Sequence, residues 1–91
     1  MGKYARMRLW YLKEHQPALY TSLLFSGKLD EYLSEVEASA QAMMKSITNR
    51  LKQERGITEE LKAENQMLWV AEMESIRVSA EEIVLNNLIY Q

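Results

Sequence analysis

Few side chains in this sequence have the types and spacing that catalysis requires. His15 is the only histidine, and the chain contains no cysteine that could act as a nucleophile beside it. A nucleophile within hydrogen-bond reach of a base, as hydrolysis needs, is therefore not expected. Acidic pairs occur at Glu59–Glu60 and Glu81–Glu82, but such pairs on helices usually face solvent. Because Glu-x-x-His pairs are absent, a di-iron site is not expected either. We expect no enzyme activity and no metal, cofactor or small-molecule substrate.

Basic residues are concentrated at the start of the chain. Residues 1–28 hold five basic side chains against one acidic, whereas residues 29–91 hold six against twelve. A basic head beside an acidic body hints at an anionic partner, since cations can bind phosphates while an aromatic ring stacks on a base. The candidate contacts to nucleic acid or to a protein partner are Lys3, Arg6, Arg8, Trp10, Lys13 and Lys28. In the alternative, these cations serve the acidic body of the chain itself, and Trp10 belongs to the core.

Helices must position these residues, because the composition predicts an all-α fold. Leu, Ala, Glu, Lys, Met and Gln dominate and favour helices, while three glycines and one proline leave few turns. The fold that we predict is a compact helical bundle, built on a long antiparallel helical hairpin with two short N-terminal helices packed on it. The predicted helices cover approximately residues 3–15, 17–26, 30–55, 58–64 and 66–89 of a single domain, 1–91.

Two apolar stripes predict the hairpin. Within each stripe the residues alternate four and three apart, which places them along one face of a long helix. The first stripe consists of Leu29, Leu33, Val36, Ala40, Met43 and Ile47. The second consists of Trp69, Met73, Ile76, Ala80 and Ile83. A flank of Val70, Val84, Leu88 and Ile89 widens the apolar face of the last helix. Because a surplus apolar face favours association, we expect a homodimer or a larger homo-oligomer.

Capping residues predict where the helices begin and end. The left-handed position that closes a helix suits glycine, the first helical position suits proline, and the N-cap suits Asp, Thr and Asn. These residues are Gly27 and Gly56, Pro17, and Asp30, Thr58 and Asn65. The second helix is expected to bury Leu19, Tyr20, Leu23 and Leu24. Core filling is also the expected role of the methionines, among them Met43, Met44, Met67 and Met73.

Composition and charge also bear on location. No apolar run approaches the roughly 20 residues that span a bilayer. Charges interrupt the apolar residues of the first fifteen positions, which argues against a secretory signal. The absence of cysteine excludes disulfides and thiolate metal sites. We therefore expect a cytoplasmic protein without membrane contacts.

Three stretches of this sequence resemble the TnpV family, whose members are small proteins encoded in bacterial mobilisable transposons and related conjugative elements. The resemblance covers residues 2–29 and 56–90 and is carried by the strings RMR…YLKEH.P.LY.SLL.SGKL, GITE.LKAE.QM.WV and AEEIVLN.LIY. Residues 34–55 resemble the family more in periodicity than in identity. Family members often have an extended segment ahead of the GKYARMR stretch, where this chain begins, so we expect either a trimmed form or a short member.

What the resemblance implies is a genetic setting. Such elements encode a large serine recombinase, mobilisation proteins and small accessory proteins. The first interpretation is a non-enzymatic accessory protein that contacts the recombination or transfer proteins of its element. The alternative is a DNA-binding, excisionase-like or regulatory factor that uses the basic head, although no strand signal supports the β-hairpin wing usual for excisionases. A third interpretation is an antitoxin-like or inhibitor protein that acts only in complex.

Overall fold

A computed structural model describes residues 1–91 as five α-helices followed by a π-helical segment, without strands. The all-α prediction is therefore confirmed. The elements are α1 (Lys3–His15), α2 (Pro17–Phe25), α3 (Leu29–Arg55), α4 (Glu59–Glu64), α5 (Gln66–Val84) and the π-helical segment (Leu85–Ile89). None of the helices combines the length and the apolar character needed to cross a membrane.

The helices α3 and α5 lie side by side in opposite directions. Near the turn between them, Arg55 Nη1 donates to Ser75 Oγ at 3.0 Å. Farther along the pair, Ala40 of α3 shares a buried cluster with Ala80 and Val84 of α5. The first helix packs on α3 and on the π-helical segment, and α2 folds back against α1 and α3. The molecule is long and narrow as a result, with dimensions of 55 × 20 × 18 Å.

Two regions of the molecule differ in how many helices pack side by side. We call one the clasped end, where α1 lies against the first half of α3 and the π-helical segment that follows α5. We call the other the hairpin tip, which consists of the second half of α3, α4 and the first half of α5. Because α4 packs only on α5, the hairpin tip has no third long helix across it.

The first predicted stripe faces the interior along its whole length. Its alternate members Leu33, Ala40 and Ile47 are buried and the others are half-buried. The second stripe is correct as far as Ala80, but Ile83 is 36% exposed and Val84 is fully buried in its place. A straight helix drifts against a seven-residue repeat, so the inward face moves on by one residue.

Helix ends follow the predicted caps at four positions. Gly27 and Gly56 have φ angles of 74° and 64°, the left-handed conformation that glycine adopts without strain. Each closes a helix in the same way, because the next amide donates back to a carbonyl five residues earlier, as in the 2.9 Å bond from Ile57 to Lys52. At the N-termini of α4 and α5, Thr58 and Asn65 accept the backbone N–H groups of Leu61 and Leu68, each at 3.1 Å.

The predicted N-cap Asp30 is wrong. The closing turn of α2, in which the Lys28 amide donates to the Leu23 carbonyl at 3.0 Å, leads directly into α3. That helix therefore begins at Leu29 with Lys28 as its N-cap, and no side chain caps it. Asp30 lies in the first turn instead, where its charge still suits the positive end of the helix dipole.

Burial of the α2 side chains was also predicted wrongly. No residue of α2 is buried, Leu19 and Leu24 are exposed, and Tyr20 and Leu23 are only half-buried. Because α2 packs on α1 and α3 alone, nothing covers its outer side. The methionine prediction fails at one position as well, since Met67 is 86% exposed.

The last five helical residues form a π-helix, where the sequence predicts only a continued helix. The Tyr90 amide donates to the Leu85 carbonyl, five residues back, at 2.8 Å. In a continuous α-helix Ile89 would lie about 6.1 turns beyond Met67 and would face the same exposed side. The wider π turn instead brings Ile89 into the core, where it is fully buried.

Candidate partner-binding surface

Arg8, one of the predicted contacts, lies inside the fold with only 7% of its surface exposed. Its Nη1 donates to the Ile89 carbonyl at 2.7 Å and to the Gln91 carbonyl at 3.1 Å, and its Nε donates to the Tyr32 hydroxyl at 3.0 Å. The Ile89 carbonyl and the Tyr32 hydroxyl are neutral acceptors, and a carbonyl at the end of a helix carries partial negative charge that attracts a cation. Arg8 therefore joins α1 to the end of the chain, and the structure removes it from the candidate contact surface.

The other predicted cations do not form one cluster. Lys3 Nζ lies 2.5 Å from Glu81 Oε1, and that carboxylate also accepts from Arg77 at 3.2 Å. Arg6 Nη1 donates to the Met1 carbonyl at 3.0 Å. Lys13 lies over the Tyr20 ring, with 5.5 Å between Nζ and the ring centroid. The exposed Lys28 adjoins the start of α3. Only Arg6, Lys13 and Lys28 therefore present cations that no carboxylate pairs with in the fold.

Glu37 of α3 holds the start of α1 in place. The N-cap of α1, Gly2, has no side chain, and the Glu37 carboxylate takes over that role by accepting the Ala5 amide at 2.9 Å. Burial raises the pKa of Glu37, but hydrogen bonds from the Ala5 and Tyr4 amides and from the Gln41 side chain outweigh it, so the pKa lies below its ordinary value. A Cβ at Gly2 would clash with this carboxylate, which explains why glycine suits the position.

Aromatic rings gather where α1 ends. The His15 ring lies 4.9 Å from the Tyr11 ring and 5.8 Å from the Trp10 ring, measured between centroids, and Tyr11 also contacts Tyr90. His15 is exposed. No three His, Cys, Asp or Glu side chains lie close enough to hold a metal ion. Trp10 is 57% exposed, so its ring lies at the surface and not in the core.

Four large apolar side chains on α1 and α2, at the same end of the molecule, are exposed, and only Trp10 among them was predicted from the sequence as a candidate contact. We call Trp10, Leu19, Leu24 and Phe25 the α2 patch. Phe25 is the most exposed of them, at 84%. One signal for this surface was available in the sequence: α2 is apolar around its whole circumference, whereas a helix at the end of a small bundle has only one neighbour-facing side.

Comparison with known protein families adds the setting. The family model described as "Transposon-encoded protein TnpV" matches residues 1–89 of the 91-residue chain. The chain belongs to the TnpV family. Searches of curated proteins and of solved structures found no match. The matched region of this TnpV-family chain contains Arg8 of α1, the Glu37 cap and the whole α2 patch.

Proposed function

We propose that this TnpV-family chain is a non-enzymatic accessory protein of its mobile element, which binds a recombination or transfer protein through the α2 patch. The observation that carries the proposal is a nine-residue apolar helix without one buried residue. Contiguous apolar surface on a folded chain marks interaction sites. The transposon-encoded family supports a partner that the same element encodes.

The chemistry of the α2 patch favours an amphipathic protein segment as its partner. Aromatic anchors supply much of the binding energy at protein interfaces, and the patch has two of them in Trp10 and Phe25. The neighbouring stretches of the chain carry exposed charges of both signs, positive at Lys13 and Lys28 and negative at Glu14 and Glu31. Such a mixed rim suits a protein surface better than a uniformly anionic one.

A role without catalysis agrees with the position of His15. Its ring is exposed and in contact with Trp10 and Tyr11, and a general base needs a nucleophile within hydrogen-bond reach. Two other polar side chains of α1 are engaged in holding the fold, Lys3 through its ion pair with Glu81 and Arg8 through its bonds to Tyr32 and Ile89.

Affinity capture tests the proposal. Tagged chain would be recovered from a bacterium that carries the complete element, and captured proteins would be identified by mass spectrometry. We expect an element-encoded recombination or transfer protein in stoichiometric amount, lost with Phe25→Glu and retained with Met67→Glu. The two variants are matched, because both side chains are apolar and more than four-fifths exposed. Equal capture by both variants would contradict a role of the α2 patch.

DNA binding is the second candidate function, and Arg6, Lys13 and Lys28 are the observation that favours it. Three phosphate contacts would give a slope of log affinity against log salt of at most about −2.7. A fluorescence titration with end sequences of the element at two salt concentrations tests this. Under the DNA hypothesis, Arg6→Glu combined with Lys13→Glu abolishes binding. Absence of binding to the unaltered chain at low salt would eliminate the hypothesis.

A further inference from the structure

The outer side of α5 bears a second apolar surface, far from the α2 patch. Met67, Val70, Ala71 and Val78 are all exposed and follow the spacing of one helix face, which they share with Glu74. We call them the tip stripe. It lies opposite the buried Ile76 side of α5 and extends about 17 Å from the hairpin tip toward the clasped end.

A comparison with the C-terminal half of α5 and the π-helical segment shows why the tip stripe is uncovered. Near its C-terminal end, the apolar flank is used within the fold: Val84 and Ile89 are buried, and Leu88 packs against the same cluster. There α1 supplies a third helix by packing on α3 and on the π-helical segment. No helix of the chain occupies the equivalent place at the hairpin tip, where Met67 and Val70 remain in solvent.

Surface area indicates how much surface a second copy of the chain could cover. A folded monomer of 10.7 kDa is expected to expose about 5500 Å², whereas this chain exposes 6097 Å². If two copies each buried this whole-chain excess of about 600 Å², the interface would cover about 1200 Å² in total, the lower end of the range for specific protein interfaces. The chain's radius of gyration of 16.8 Å likewise exceeds the roughly 12 Å of a compact domain of this length.

Charge indicates what fits the tip stripe. Its charged neighbours already balance one another, since Arg77 pairs with Glu74 at 2.7 Å and with Glu81 at 3.2 Å. Glu72 lies 3.7 Å from Arg55. A surface with balanced charges offers no attraction to a polyanion, and it can meet an identical surface without like-charge repulsion.

We infer that the tip stripe is the interface between two copies of this chain. The two α5 helices pack against each other antiparallel about a two-fold axis near Ala71, each with its own α3 on the opposite side. Each tip thereby gains the third neighbour that α1 provides at the clasped end. This interface is independent of the proposed function, since it leaves both α2 patches free at the outer ends of the dimer.

Cysteine cross-linking tests the location, because the chain has no cysteine of its own. Ala71→Cys and Ala18→Cys replace exposed alanines on α5 and α2, respectively. With a short homobifunctional maleimide we expect a covalent dimer from Ala71→Cys and essentially none from Ala18→Cys. The opposite pattern, or equal yields from the two variants, would overturn the inference.

Sedimentation of the full chain tests the interface energetically. We expect a dimer at high micromolar concentration, weakened at least tenfold by Val70→Glu and unchanged by Phe25→Glu. Met67→Lys serves as a second variant in case Val70→Glu lowers helicity, which circular dichroism would detect. A strictly monomeric unaltered chain, or a dimer that both tip variants leave intact, would overturn the inference. Loss of partner capture with Phe25→Glu alone would leave it standing, so the two proposals fail separately.

Discussion

The clasped end and the hairpin tip are built from the same two long helices, yet they differ in what surrounds them. At the clasped end, α1 covers the pair, its first turn is capped by Glu37, and Arg8 reaches the last carbonyls of the chain. At the hairpin tip, α4 is a single short helix that packs on α5 alone. Apolar residues of α5 are accordingly buried at one end and exposed at the other.

This difference shows that burial along α5 depends on the neighbour more than on the pattern. Val70 and Val84 are the same residue type on the same helix, and the sequence places both on the surplus flank. Only Val84 is buried, because it lies in the cluster where Tyr4 of α1 meets α3 and α5. A flank that is too wide for one partner helix thus predicts a second neighbour without saying whether the chain supplies it.

Truncation of a core side chain should give the largest difference in stability between the two regions. Leu33 is 1% exposed at the clasped end, so Leu33→Ala should lower the free energy of unfolding by about 2–5 kcal/mol through lost burial and a residual cavity. The same change at the half-buried Leu61 of the hairpin tip should cost about 1 kcal/mol. Urea unfolding followed by circular dichroism measures both. Equal losses would mean that the two regions are equally well packed.

Removal of the Arg8 donors tests whether the hydrogen bonds from α1 to the end of the chain stabilise the fold. Arg8→Met keeps an unbranched stem as far as the position of Nε but leaves the Ile89 carbonyl and its neighbours without a donor. We expect a loss of about 3 kcal/mol in the free energy of unfolding. Arg77→Met is the control, since Arg77 is exposed and forms surface ion pairs, which are worth at most about 1 kcal/mol. A smaller loss of stability with Arg8→Met than with Arg77→Met would refute the stabilising role of Arg8.

Acid should weaken the clasped end through Glu37, with the smallest of these effects. Because its pKa is lower in the folded chain than the ordinary 4.5, its contribution is complete above that pH and is lost as the pH falls through the folded value. Glu37→Gln should remove about 1 kcal/mol of capping at neutral pH and flatten the fall in stability below pH 4.5. Unfolding curves from pH 3 to pH 7 measure this. An unchanged acid limb in Glu37→Gln would assign the capping to another group.

The parts of the fold that depend on local chemistry could be predicted from the sequence. Gly27, Gly56, Thr58 and Asn65 end or begin helices through bonds within five residues of themselves, so their types and spacing were sufficient. Asp30 shows the limit of this reasoning, because a preceding turn decided where α3 starts. Exposure of the α2 residues could not be predicted for another reason, since it depends on whether a further helix covers the outer side of α2.

The candidate surface was the harder part to predict. Arg8 shares a helix face with the buried Tyr4 and Leu12, but two of its acceptors, on Ile89 and Gln91, lie more than 80 residues away, beyond the reach of any local pattern. The π turn that presents one of them has no sequence signature of its own. The α2 patch was visible in composition, but apolar residues around a whole helix predict burial just as well as a binding surface.

The bond between Arg8 and the Ile89 carbonyl spans 81 positions of the chain, which bears on the order of folding. Closing so long a loop costs about 4 kcal/mol of chain entropy, whereas α3 and α5 meet across a connection of a few residues and one short helix. The hairpin is therefore expected to form early, and α1 is expected to dock on it late. Until α1 docks, the apolar flank around Val84 is as exposed to solvent as the tip stripe.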